Sequence, residues 1–286
     1  MNQLISNITY NGGGQTDSQN FIPKIIHYCW FGRASLPEQA LKCIASWKKF
    51  CPDYQIIEWN EDNFDLDYCP YTREAYDSRK FAFVTDVVRL YAMITFGGIY
   101  MDTDVEVIKP LDDLLQFHAV SGFESVKYIP TGLMACEKNN PAFSEFLREY
   151  DGLHFISQDG TQDITTNCVR ITNKCLEYGL RLDNTEQTLA NGFHILPIDY
   201  LCPKDLQTGK INLTANTYTI HHFNGSWLPE ETRYRTRLSQ KMLSLHVPGR
   251  ISGRLVNFMA DKKFRGLSFA VKSLAKKFVN RITKEG

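Results

Sequence analysis

Two aspartates, Asp102 and Asp104, are separated by one threonine and follow the apolar run Ile99 to Met101. On an extended segment, side chains at positions i and i+2 point to the same side, so these carboxylates could offer hard oxygen ligands to one divalent cation. The apolar run predicts a short buried strand that brings the acids to the mouth of a pocket. A D-x-D pair alone is a weak signal, because most such pairs are solvated loop acids. Its interpretation therefore depends on its surroundings.

A second charged pair, Asp86 and Arg89, lies upstream of these acids at a spacing of three residues. The sequence predicts a helix that begins near Thr85 and stops at Gly97-Gly98, so the two side chains share a helix face. They could form a surface ion pair, which contributes little to stability. Alternatively, they could hold the hydroxyls and the charge of a nucleotide sugar. The residues leave both interpretations open.

The elements that must position these groups form an α/β pattern. Lys24 to Trp30 and Tyr54 to Trp59 are β-prone runs, and a helical pattern from Pro37 to Phe50 separates them. A mostly helical stretch, Tyr71 to Thr95, precedes the strand that leads to the acids. This order is typical of a parallel sheet with crossovers. The sequence has no glycine-rich phosphate loop of the usual spacings, so a bound phosphate would need a metal.

Two further places could contribute to a site. Trp30 ends the first strand, where open α/β sheets bind ligands, so it could stack on a base, although a core role is the more usual one. The strand Thr217 to Phe223 runs into His221-His222 and then into Ser226-Trp227. Adjacent histidines on a strand face opposite ways, so only one of them would normally ligate a metal. Taken alone, this segment predicts a core histidine and a buried tryptophan more readily than a site.

Composition and charge indicate a globular domain with a different C-terminal part. The chain has 286 residues, of which 43% are hydrophobic, enough for one large core or a core plus an appendage. Residues 1–20 have neither a basic residue nor a continuous apolar core, so we expect a flexible leader and no export signal. Eight scattered cysteines without zinc spacing then predict reduced, mostly buried thiols and a cytoplasmic protein.

The C-terminal segment, 231–286, is predicted to be a helical and basic extension. From Arg250 to Gly286 there are ten Lys/Arg against two Asp/Glu. Apolar side chains recur at helical spacing at Val271, Leu274, Phe278 and Ile282. The helix could be docked on the domain with a solvated basic face. It could also lie on an anionic membrane surface, and the sequence leaves these alternatives open.

Four segments, in this order, resemble glycosyltransferase family 32, the bacterial capsular-polysaccharide type. That family is related to the yeast initiating mannosyltransferase and, more distantly, to the large glucosylating toxins. The resemblance extends from Ile22 to Leu228 and rests on IPKIIHYCWFG, on Ser46-Trp47 followed by Pro52, on TDVVRLYAMITFGGIYMDTDVEV, and on TYTIHHFNGSW. Together these motifs are specific, whereas each one alone is not.

The resemblance implies a GT-A fold over residues 21–230, a Rossmann-like mixed sheet flanked by helices, and retaining transfer of a hexose from a UDP- or GDP-sugar. It implies that Asp102 and Asp104 bind Mn²⁺ or Mg²⁺ and that His221 or His222 completes the metal or phosphate site. It places catalytic roles on the two acids together with Asp86 and Arg89. The donor-binding residues implied are Trp30, Asp86, Arg89, Tyr100, Asp102, Ser226 and Trp227. The acceptor implied is a glycan, which can be lipid-linked, and no nucleic-acid partner is expected.

Two other functions would fit part of the pattern. A phosphatase of the D-x-D-x-[TV] kind also places two acids after an apolar strand, but the fifth position here is Glu106 and the histidine segment has no part in that chemistry. A metal-dependent carbohydrate-binding protein would keep the acids and tryptophans without turnover.

Overall fold

The computed structural model describes residues 20–129, 132–225 and 228–282. Its strands are β1 (Ile25–Cys29), β2 (Gln55–Trp59), β3 (Gly98–Met101), β4 (Val105–Val107), β5 (Ala119–Gly122), β6 (Leu133–Cys136), β7 (Gln187–Thr188), β8 (His194–Leu196) and β9 (Thr219–His221). Its helices are α1 (Glu38–Phe50), α2 (Pro70–Asp77), α3 (Phe81–Phe96), α4 (Pro141–Arg148), α5 (Asn167–Glu177), α6 (Ile198–Leu201), α7 (Glu230–Ser244), α8 (Gly249–Arg265) and α9 (Leu267–Ile282).

Seven of these strands form one mixed sheet in the order β2-β1-β3-β6-β5-β8-β7. The pairs of β1 with β2 and with β3 are parallel, which confirms the parallel arrangement predicted for the first half of the chain. Strand β6 runs antiparallel between β3 and β5 and makes the sheet mixed. Buried clusters of apolar side chains lie against this sheet, where the helices pack. The predicted α/β class, a mixed sheet flanked by helices, is confirmed.

Strands β4 and β9 form a separate antiparallel pair, which sequence reasoning did not foresee. Strand β6 was not predicted either, and the stretch predicted as mostly helical consists of two helices, α2 and α3. Helix α3 begins at Phe81, four residues before the predicted start near Thr85. It ends at Phe96, and the next residue, Gly97, has a φ of 69° in the left-handed region that favours glycine, so the predicted stop is confirmed.

The structure divides into two compact units. One contains the chain up to Pro203 together with Asn212–His222, and it holds both sheets. The other contains Lys204–Ile211 and the chain from Phe223 onward, with helices α7 to α9. The predicted leader, residues 1–20, lies outside the described residues except for Asn20. All eight cysteines are free, and six are buried, as predicted. Among the described helices, none has the length and apolar character needed to cross a membrane.

A buried histidine, His27, joins three parts of the large sheet. Its Nδ1 accepts a hydrogen bond from the Trp59 indole N–H at 3.1 Å, and its Nε2 lies 2.9 Å from the Gly97 carbonyl oxygen. Since a carbonyl can only accept, the ring is neutral with its proton on Nε2. Burial lowers the pKa of His27 to about 4, although the Gly97 carbonyl raises it. The ring thereby ties β1 and β2 to the turn at which α3 gives way to β3.

We expect this histidine to make the fold acid-sensitive. Its folded-state pKa of about 4 lies below its unfolded value of 6.5, so the unfolded chain binds the proton more readily. The contribution of neutral His27 to the free energy of unfolding is therefore complete above pH 6.5. The free energy of unfolding then falls by about 3 kcal/mol in total as the pH drops toward 4. Urea unfolding of the wild type and of His27→Gln between pH 7 and pH 4.5 measures this difference. Equal pH slopes for the two proteins would show that His27 does not carry the effect.

Candidate metal centre

The acid pair lies on the turn that joins the two sheets. Asp102 follows β3 and Asp104 precedes β4, and the Val105 N–H donates to the Asp102 carbonyl oxygen at 3.0 Å. The backbone therefore turns at the pair, whereas the sequence predicted an extended segment. Both carboxylates nevertheless remain together, because a turn of this size holds its first and third residues close.

The helix motif Ser46-Trp47 fixes the strand that follows the turn. The Trp47 indole N–H donates to the Val105 carbonyl oxygen at 2.7 Å, and the Val107 N–H donates to the Ser46 hydroxyl oxygen at 2.9 Å. The Trp47 side chain is fully buried. These two bonds hold β4 against α1, so the position of Asp104 is set by a packed helix.

His221 completes a group of three possible metal ligands. Strand β9 pairs with β4 so that His221 lies opposite Val105, and its Nε2 is 3.3 Å from Asp104 Oδ1. One ligand atom from each of Asp102, Asp104 and His221 lies within 4.8 Å of the other two. Two carboxylate oxygens and one imidazole nitrogen are a donor set that suits Mn²⁺, and Mg²⁺ accepts such carboxylates as well. The residues therefore fit a divalent cation.

The protonation of His221 depends on its acidic neighbour. Burial opposes a charge on the ring, but the Asp104 carboxylate, together with the Cys202 thiol, holds the pKa of His221 well above its usual range. The ring is therefore protonated and paired with Asp104 when no cation is bound. A metal must displace this proton, so its affinity should rise with pH.

The neighbouring His222 faces the other way. Its Nε2 lies 2.8 Å from Glu106 Oε2, and its backbone N–H donates to the Asp104 carbonyl oxygen at 3.0 Å. The sequence left the choice between the two histidines open, and the structure brings His221, not His222, to the acids. Opposite orientation of adjacent strand residues accounts for the difference.

Arg89 connects the acid pair to helix α3. Its Nη2 lies 3.2 Å from Asp102 Oδ1 and 3.4 Å from Asp86 Oδ1, and its side chain is only 6% exposed. The guanidinium lies over the Tyr100 ring, at 4.5 Å from the centroid, and the Tyr100 hydroxyl donates to Asp102 Oδ1 at 2.8 Å. The interpretation as a surface ion pair is therefore wrong, because Arg89 and Asp86 are buried next to the candidate metal ligands.

Asp86 is held by a residue that the sequence did not single out. The Asn167 backbone N–H, at the start of α5, donates to Asp86 Oδ2 at 3.2 Å, and the Asn167 side-chain amide donates to the Asp86 carbonyl oxygen at 2.8 Å. Burial raises the pKa of Asp86 to about 7, against the lowering effect of the Arg89 guanidinium and this N–H. The carboxyl group is thus close to the point at which it loses its charge.

Of the remaining predicted residues, one has a backbone partner of its own and two lie outside the described part of the chain. Trp30 is half-buried, and its indole N–H donates to the Ala34 carbonyl oxygen at 2.6 Å. It follows β1, which runs parallel to β3, so it lies at the same edge of the sheet as Asp102. Ser226 and Trp227 lie outside the described residues.

Glu124 is a further acid beside the group, and sequence reasoning missed it. It follows β5, and its Oε2 is 3.9 Å from His221 Nδ1. Burial raises the pKa of Glu124, and the nearby His221 lowers it. The signal was available in the sequence, because Glu124 directly follows the short run His118 to Phe123, and an acid directly after such a run is the pattern that identified Asp102.

Comparisons with known proteins agree with this geometry. Residues 37–120, which include Asp102 and Asp104, match the family described as glycosyltransferase sugar-binding region containing DXD motif. Inositol phosphoceramide mannosyltransferase 3 of Schizosaccharomyces pombe is 31% identical over 144 residues, which are 49% of this chain and 40% of that protein. An uncharacterized glycosyltransferase of Acanthamoeba polyphaga mimivirus is 28% identical over 229 residues, 73% of this chain and 84% of that protein.

Among solved structures, the PaToxG glycosyltransferase is similar with a TM-score of 0.43 and 20% identity, over 55% of this chain and 68% of that one. The chain thus spans less than half the length of the fission yeast relative, and most of the mimivirus one.

Proposed function

We propose that this protein transfers a hexose from a nucleotide diphosphate sugar to a glycan in a metal-dependent reaction. The premise is that residues 37–120 match the glycosyltransferase sugar-binding region with a DXD motif. The observation that carries the proposal is the grouping of Asp102, Asp104 and His221 within 4.8 Å. Two of these ligands lie inside the matched region, and the third comes from β9, more than a hundred residues later.

In this proposal, different residues of the chain have different roles. Asp102, Asp104 and His221 would hold Mn²⁺ or Mg²⁺, which when bound supplies Lewis-acid stabilisation of the charge on the departing diphosphate. Arg89 orients Asp102 through its Nη2 and adds positive charge to the same region. Tyr100 fixes the Asp102 carboxylate through its hydroxyl. These contacts pre-organise the ligands, so that little rearrangement is needed when the donor binds.

The stereochemistry follows the family resemblance, and we propose retention. The acceptor hydroxyl attacks the anomeric carbon on the face from which the diphosphate leaves. The bond from that carbon to the phosphate oxygen breaks, a bond to the acceptor oxygen forms, and the acceptor proton passes to the departing phosphate. The anomer of the product, read by NMR, tests this proposal.

For the donor and the acceptor we propose a chemical class. Several relatives bear the name of mannosyltransferases, which favours mannose among the hexoses, carried on GDP or UDP. We propose a surface glycan of the capsular kind, attached to a lipid carrier, as the acceptor. A chain that acts on such an acceptor would work at the cytoplasmic face of a membrane.

A panel of donors tests the function directly. The full chain is incubated with Mn²⁺ and with UDP-glucose, UDP-galactose or GDP-mannose, and nucleotide release is measured. We expect release from one donor, its loss in excess EDTA and its return with added Mn²⁺. Release that persists in EDTA would refute the metal role. Binding without release would identify a carbohydrate-binding protein, and phosphate release from a monoester would identify a phosphatase.

The helical unit supports a proposal about membranes. From Phe223 to Gly286 there are fourteen Lys/Arg against four Asp/Glu. Along α8, the exposed side chains Ile251, Leu255 and Met259 recur every four residues and form one apolar stripe. An apolar stripe within a strongly basic unit is the pattern of a helix that lies on an anionic lipid surface. We propose that this unit binds the membrane that carries the acceptor.

Vesicle binding gives a quantitative prediction. The full chain should bind phosphatidylserine vesicles at low salt and lose binding as salt rises, since each basic residue contributes about 1 kcal/mol near the surface. Lys262→Gln with Lys272→Gln should therefore weaken binding by about 30-fold, whereas Lys48→Gln with Lys138→Gln, in the sheet-containing unit, should not change it. If the wild type does not bind at low salt, the unit serves another purpose.

A further inference from the structure

We propose that Glu124 is a positioning residue that sets the tautomer and orientation of His221 for the cation, an inference that depends on the metal role in the proposed function. The imidazole lies between two carboxylates. Its Nε2 is 3.3 Å from Asp104 Oδ1, and its Nδ1 is 3.9 Å from Glu124 Oε2. The two ring nitrogens thus face different carboxylates, one within the ligand group and one outside it.

The chemistry of metal-bound imidazoles explains why this arrangement matters. A histidine ligates through one nitrogen and donates its other N–H to a carboxylate, carbonyl or water, and that second contact fixes the tautomer. With the proton on Nδ1 directed at Glu124, the lone pair of Nε2 is left for a cation shared with Asp104. The present 3.9 Å is an ion-pair distance, and such contacts often shorten only when ligands bind.

The ring also packs closely against one segment of backbone. A Cβ built on Gly132 would lie 3.0 Å from His221 Nδ1 and Cε1, so the ring packs directly against the backbone of this glycine. The Gly132 carbonyl oxygen also accepts the Asp102 N–H at 2.8 Å, which joins the same backbone to the acid pair. One side of the ring is therefore closed by the backbone that also holds Asp102.

A thiol also competes for the ring. The Cys202 thiol is buried beside His221 and contributes to its raised pKa. Sulfur is a weak hydrogen-bond acceptor, whereas an ionised carboxylate is a strong one. The Glu124 side chain is 21% exposed, so it keeps partial access to solvent while it faces Nδ1. We therefore assign the orienting role to Glu124.

The test uses Glu124→Gln in the full chain and measures Mn²⁺ affinity from the electron paramagnetic resonance signal of free Mn²⁺. Loss of such an outer contact typically costs 10-fold to 100-fold in metal affinity, and we expect a change in this range. At saturating Mn²⁺, kcat should return to near the wild-type value. Nitrogen NMR of the Mg²⁺-loaded wild type should show His221 protonated at Nδ1.

Glu137→Gln is the matched control. The Glu137 carboxylate pairs with His118 Nδ1 at 2.9 Å, and it lies beyond Cys136, at the end of β6 opposite to Leu133 and the acids. We expect this variant to bind Mn²⁺ as the wild type does. Glu124→Asp separates folding from positioning, since it keeps the charge and should recover part of the affinity.

The outcomes are distinct. Unchanged Mn²⁺ affinity in a folded Glu124→Gln protein would overturn the proposal. A loss of kcat or a rise in acceptor KM that persists at saturating Mn²⁺ would also overturn it, because such a result would place Glu124 against the acceptor. A wild type that binds no Mn²⁺ would overturn it as well. Because the affinity assay needs no donor, a failed donor panel with intact metal binding would refute only the transferase.

Discussion

Asp102→Asn or Asp104→Asn should abolish metal-dependent transfer in a chain that still folds. Each change removes one negative charge from the ligand group while keeping the shape of the side chain, so the cation loses an anionic oxygen. We expect kcat/KM to fall by about 10³-fold, which corresponds to about 4 kcal/mol of transition-state stabilisation. Asp104→Asn should also return the pKa of His221 toward its usual value, because the carboxylate that raises it is gone.

Nucleotide release and Mn²⁺ binding check this result, and thermal unfolding checks the fold. Asp53→Asn is a suitable control, because that carboxylate is exposed and pairs only with the lysine ammonium of Lys24 among the contacts described. Wild-type release in either Asp102→Asn or Asp104→Asn would show that the cation, if it binds, binds elsewhere.

Arg89→Ala should impair both stability and activity. The buried guanidinium contacts the Asp86 carboxyl group, whose charge is opposed by burial, and the Asp102 carboxylate. Its removal leaves both acids without their buried counter-charge and should cost up to about 5 kcal/mol of stability. The Asp102 carboxylate also loses the contact that orients it. We therefore expect kcat/KM to fall at least about tenfold among the molecules that remain folded.

Two further variants test whether the charge or the shape of Arg89, and its burial, account for this effect. Arg89→Lys keeps the charge but not the planar fork, so it should recover more stability than activity. Arg73→Ala removes an arginine from an exposed pair with Asp67 and should change stability by less than about 1 kcal/mol. Near-wild-type kinetics for Arg89→Ala would mean that the residue serves the fold alone.

The sequence predicted the parallel half of the sheet and the acids because those features are local. Alternating or apolar runs bounded by glycine and proline located β1 to β3, and a strand end located Asp102. Strand β6, with the sequence Leu-Met-Ala-Cys, could not be predicted in this way, since it is buried on both faces and has no β-branched residue.

The parts of the site that depend on distant partners escaped prediction. Strand β4, which follows the turn at Asp102, is held by Trp47 and Ser46, and neither bond is visible from the residues around the acids. The choice of His221 over His222 depends on the register of β9 with β4, which places Val105 opposite His221. Burial of Arg89 beside Asp102 likewise follows from packing, whereas spacing alone allowed a solvated pair.

The pairing of β4 with β9 means that the metal centre is complete only when two distant parts of the chain have come together. Asp104 is delivered early in the chain and His221 late, so the complete ligand set exists only after a loop of more than a hundred residues has closed. Such non-local pairing forms slowly, because the entropy of loop closure must be lost before the contact is made. A cation selective for the finished set would favour the closed chain over all partly folded ones, by about 2.7 kcal/mol at a concentration one hundred times its dissociation constant. Divalent metal would then act during biosynthesis as a folding ligand, before any sugar is transferred.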